Sequence, residues 1–184
     1  MPRRAFDPGR VAYFETEGWR AYYDHKWLRL LRLLVQLSHE QFFMPWPRAV
    51  LAAYYVTRAS VAWLPVDHDE AKVLRYYERF YRLARRYSGL QFDPALVAKL
   101  ELRYNDDHRR LVDAGDKTAL LQTLTELHAA LFSLPPEAVA ESARERLAAL
   151  NAVDRITSER TTDAAVDWRA VLDHLQRCYR SLPQ

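Results

Sequence analysis

Glu101, Tyr104 and His108 recur at three- and four-residue spacing in a stretch that opens at Asp93-Pro94, so on a helix they share one face. That face also carries Val97, Leu100, Leu111 and Val112, which places charged groups where a core is expected. An unpaired carboxylate costs several kcal/mol to bury. Glu101 therefore needs a counter-charge, a proton or an edge position. Carboxylate plus imidazole suits zinc, iron or manganese, so a divalent metal held by Glu101 and His108 is one expectation, with His128 as a further ligand. Acid–base work between the same two groups is another.

Other helices offer partners. Arg58 is the one charge between Ala49 and Val66, and Tyr54 stands one turn before it. Tyr13, Glu17, Arg20 and Asp24 recur at helical spacing on the side that further along becomes apolar. The expectation is that Glu17, Tyr54, Arg58, Glu101, Tyr104 and His108 converge on one internal pocket for a small polar ligand or a metal ion. The rival expectation makes Glu101–Arg58 a structural ion pair, His108 a core histidine, and Glu17, Arg20 and Asp24 an intrahelical ladder. The chain would then be a structural or interaction module working at its surface. Gln41-Phe42-Phe43-Met44-Pro45-Trp46 would suit the contact of a homodimer. A third expectation places nucleic acid or an acidic partner on Arg75, Arg79, Arg82 and Arg86, which form a stripe with Tyr76, Tyr77 and Tyr81 between them. A net charge of +3 is low for that role, and a solvated face with arginine stems over aromatics accounts for the stripe.

Several chemistries lack their motifs. There is no Glu-x-x-His pair, no His-Glu-x-x-His, no phosphate loop, no dinucleotide fingerprint and no Gly-x-Ser-x-Gly elbow. One cysteine, Cys178, excludes an intrachain disulfide and a Cys/His zinc framework. Reducing, cytoplasmic surroundings follow from that cysteine usage. No apolar run follows the first ten residues as a leader would require. The longest apolar stretch is interrupted by Arg58, which speaks for a buried helix and against a membrane span. No motif assigns a reaction.

The elements that must position these residues are helices. Only 4 of 184 residues are glycine, too few for the turns of a β-rich chain, while helix-forming Leu, Ala, Arg and Glu dominate. Apolar content of 49% suits a globular core. The pattern predicts an all-α fold, an irregular bundle of six to seven helices forming a single domain over 1–184. Asp7-Pro8 opens a first helix running to about Glu40, with Gly18 a place to bend. An apolar helix over about 47–64 should be central. Further helices follow Asp67, with Glu70 completing a capping box and Ser88-Gly89 the end, then Asp93-Pro94, then about 117–132, one started by Pro135-Pro136 and running to about 156, and about 164–182.

Overall fold

The computed structural model describes residues 5–183. Met1–Arg4, part of the segment read as lacking a leader, and Gln184 lie outside the described residues. Among the described residues, eight helices make up the fold: α1 Pro8–Tyr23, α2 Trp27–Phe42, α3 Trp46–Trp63, α4 Glu70–Ser88, α5 Pro94–Leu111, α6 Thr118–Phe132, α7 Pro136–Thr157 and α8 Ala164–Arg180. No strand occurs among the described residues. The all-α bundle is as the sequence predicts, with one helix more than the upper count.

The additional helix comes from a break in the predicted first one. It falls at Asp24-His25-Lys26 and not at Gly18. His25 takes a left-handed φ of 57°, and its N–H bonds Tyr22 O while Lys26 N–H reaches back to Ala21 O at 2.8 Å. These bonds satisfy the last carbonyls of α1 without a glycine. Gly18 instead sits where α1 meets α2, its missing Cβ 3.9 Å from Leu30 Cδ1.

The aspartate caps do what their positions suggest. Asp7 accepts from the Gly9 and Arg10 amides, Asp93 from Ala95, and Asp163 from Ala165 and Val166. The cap of α4 is Asp69, which bonds Lys72 N at 3.1 Å. Asp67 therefore lies outside the capping motif. Gly89 ends α4 with φ 75°.

Each helix packs on the next in chain order, and α8 returns to pack on α1, closing a circuit. Short connections make such neighbours antiparallel. The two halves differ. Around α6, α7 and α8 the interior is filled by Leu120, Leu124, Val139, Val153, Val171 and Leu175, all fully buried. Around α1 to α5 the circuit encloses a cavity.

The expectation of a central 47–64 helix is corrected. α3 packs on α2 and α4 and forms an outer wall. It buries Ala49, Ala52, Ala53 and Ala59, whose small side chains allow close helix approach. Its large residues Trp46, Val50 and Tyr54 point outward. Apolarity all round a helix reads as burial only when the large residues face inward, and here alanines do.

Candidate functional site

The cavity has a volume of about 580 Å³, within the range of small-molecule sites. Five successive helices wall it. Phe14, Gly18 and Trp19 come from α1, Leu30, Leu34 and Leu37 from α2, Val56 and Thr57 from α3, Phe80 from α4 and Tyr104 from α5. Trp27, Val61 and Leu64 also line it while remaining 54%, 55% and 51% exposed, so the cavity opens to solvent beside them. Thr57 and Ser60 spend their hydroxyl protons on the carbonyls of Ala53 and Val56 one turn back, which leaves that wall largely apolar.

The inner end is polar. Arg146 of α7 grips Glu15 of α1 with two nitrogens, Nη2 to Oε1 at 2.5 Å and Nη1 to Oε2 at 3.2 Å. Tyr179 of α8 donates to the same Oε2 at 2.6 Å. Burial works against the Arg146 charge, yet Glu15 and the surrounding tyrosines hold its pKa well above the ordinary value. This group ties the filled half of the bundle to the hollow half.

Glu101 is the other carboxylate at the cavity. Tyr81 of α4 donates to its Oε2 at 3.0 Å. No ion pair to Glu101 forms among the described residues, because both terminal nitrogens of Arg146 are aimed at Glu15. Burial raises the Glu101 pKa above 4.5, against the pull of Arg146 and Tyr81. Beside it, Asn105 donates to Tyr77 Oη at 3.1 Å and to the Glu101 carbonyl at 2.7 Å. The Tyr104 hydroxyl forms no hydrogen bond among the described residues, and burial pushes its pKa far up, so it stays protonated.

No protein-family model, curated protein or solved structure matches this chain. Its site is defined by geometry alone.

Of the six residues expected to converge, Glu101 and Tyr104 line the cavity. The other four are elsewhere. Glu17 turns to the α1–α2 corner, where it pairs with Arg29 and with Arg20 at 3.5 Å. Tyr54 and Arg58 lie on the outer face of α3, and the Arg58 guanidinium sits 5.5 Å from the Tyr76 ring centre. His108 leaves the cavity side altogether. Its Nε2 meets Asp154 Oδ1 at 2.9 Å, and Lys117 holds the other oxygen at 2.8 Å. Burial raises the Asp154 pKa, but His108 and Lys117 outweigh it and hold the carboxyl below its ordinary range.

Glu101 and His108 thus share a helix and not a site. Among the described residues, no three His, Cys, Asp or Glu side chains stand together as metal ligands. His128 is buried against Ser142 Oγ at 2.9 Å, with Cys178 Sγ 3.2 Å beyond. Burial lowers the imidazole pKa to about 3 and raises the thiol to about 11, so both are neutral near pH 7.

Glu15 and Arg146 were not among the expected residues. The signal was present in the pattern: Val139, Ala143, Arg146, Leu150 and Val153 follow one helical stripe, with arginine at its middle. The arginine stripe of α4 is an exposed face. Arg82 pairs with Glu78 at 2.9 Å, and Arg79 and Arg86 lie over Tyr55 and Tyr87. No helix among the described residues is long and apolar enough to cross a membrane.

Proposed function

We propose that this protein binds a small organic molecule in the central cavity, its apolar body against the aromatic and leucine walls and its polar end at Glu101 and Tyr104. The observation that supports this most is a half-buried carboxylate with one hydrogen bond, facing a cavity of about 580 Å³. Interiors are packed to crystal density, and a void this size next to a carboxylate with no ion-pair partner is an unfavourable arrangement for stability alone. Function is the economical reason to keep both. Native mass spectrometry of freshly purified protein tests the reading. A bound mass that dissociates on gentle activation and is lost in Glu101→Leu supports it. Uniformly unliganded protein that also fails to take up any member of a neutral small-molecule panel contradicts it.

A second reading, surface association with another protein or copy, draws on a different observation. Leu28, Leu31, Val35, Trp46 and Val50 line an outer groove between α2 and α3, and Leu28 is 87% exposed. Exposed apolar patches of this kind often mark interaction sites. Concentration-dependent sedimentation that is abolished by Leu28→Glu with Trp46→Glu would favour it.

A further inference from the structure

The charge at the inner end of the cavity does not balance. Glu15 and Arg146 neutralise one another in a two-pronged contact, and Tyr179 fills the remaining valence of Glu15. Glu101 has only a neutral phenol for a partner. The other polar groups along the cavity, Ser38, Gln41, Asn105 and Tyr104, carry hydroxyls and amides that donate or accept as an occupant requires. Among the described residues lining the cavity, Glu101 is a carboxylate with no ion-pair partner, and Arg146, paired to Glu15, keeps one unpartnered donor, its Nε.

We infer that the ligand is a lipophilic monocation, an amine on an aromatic or aliphatic body, whose ammonium group is received by Glu101. This rests on the cavity being a ligand site, as proposed above. Three observations favour a cation over a neutral or anionic head. First, an ammonium supplies the missing charge and up to three donors, and a charge-assisted hydrogen bond is stronger than a neutral one. Second, Trp19, Trp27, Tyr22, Phe80 and Tyr81 put aromatic rings on the cavity lining, and ring faces attract cations once water is excluded. Third, an anion would find both terminal nitrogens of Arg146 held by Glu15, with only its Nε unpartnered, and would face two carboxylates.

The occupant also accounts for the state of Glu101. Burial makes this carboxyl keep its proton to higher pH than usual when the cavity is vacant. An ammonium beside it reverses the balance, so the proton leaves as the cation enters. The groups facing Glu101 that set this balance are Glu15 on α1, Tyr77 and Tyr81 on α4, Tyr104 on its own helix and Arg146 on α7. The tyrosines stay neutral and Arg146 stays charged near pH 7.

Calorimetric titration with three matched probes tests the inference: 4-phenylbutylamine, 4-phenylbutanol and 4-phenylbutanoate, each with wild type and Glu101→Gln. The amine is expected to bind about tenfold or more tightly than the alcohol, with the anion weakest. Glu101→Gln is expected to remove the preference for the amine while leaving alcohol affinity within about twofold. Alcohol binding equal to or tighter than amine binding would overturn the charge inference and leave the cavity reading standing. So would an amine preference that survives in Glu101→Gln. No binding of any of the three would overturn both.

Discussion

Tyr81 and Glu101 face each other across α4 and α5, joined by a 3.0 Å hydrogen bond that is the only one the Glu101 carboxylate makes among the described residues. A neutral donor compensates a buried charge poorly, and the raised Glu101 pKa records the deficit. For an acid whose pKa is raised on folding, the stability it confers is present at low pH and is lost as pH climbs through the folded value. Glu101→Gln keeps an acceptor for Tyr81 and removes the charge. It should raise stability at pH 7 by about 1 kcal/mol, or ~2–4 °C in Tm. The gain should vanish below about pH 4.5, where the unfolded chain is protonated as well. Thermal melts of both proteins from pH 4 to 8 measure this directly.

The Glu15–Arg146 contact should behave in the opposite sense. Both ends are buried and each neutralises the other, so removing one strands the other. Arg146→Met or Glu15→Gln alone should cost about 3–5 kcal/mol. The double variant should cost clearly less than the sum of the two. A double-mutant cycle by urea denaturation gives the coupling energy, and strict additivity would show that the contact contributes nothing.

His128 makes the fold sensitive to acid. Its pKa falls from 6.5 to about 3 on burial. The neutral ring is therefore favoured by folding, and this contribution is intact above pH 6.5 and lost as pH falls towards 3. In His128→Gln the urea midpoint should depend less on pH across that window than in wild type. Nuclear magnetic resonance of the wild-type ring should show no titration above about pH 4. A midpoint near 6 would place His128 in contact with water.

His108 is a structural residue in this account. His108→Asn breaks one of two contacts to a buried aspartate, Asp154, and should lower stability by about 1–3 kcal/mol. The affinity of any cavity probe should stay within about twofold, because His108 does not line the cavity. A large loss of probe affinity in a folded His108→Asn protein would return this residue to the site.

Helix positions were legible in the sequence because aspartate caps, Pro-containing helix starts and Gly89 act locally, through bonds within a few residues. The break at His25 was not, since nothing in Asp24-His25-Lys26 announces a left-handed residue; tertiary packing of Trp27 and Leu30 against α1 sets it. Charge on an apolar face marks Glu101 and Tyr104, and the structure places both on the cavity wall. Arg58 shows the same pattern, yet it lies on the outward side of a peripheral helix. His108 shows it too, but the helix turns that residue towards α7, where it meets Asp154. Glu17, two residues on, has the more regular polar stripe, and only the closing of α8 and α7 onto α1 shows that Glu15 is the buried one of the two.

The most direct test of the central claim is fluorescence titration with the neutral probe N-phenyl-1-naphthylamine, comparing wild type with Thr57→Trp, which places a bulky side chain into the cavity from α3. The account predicts saturable one-to-one binding to wild type and at least about tenfold weaker binding to the variant, with the variant folded and equally helical. Equal binding to both proteins, or none to wild type, would contradict it.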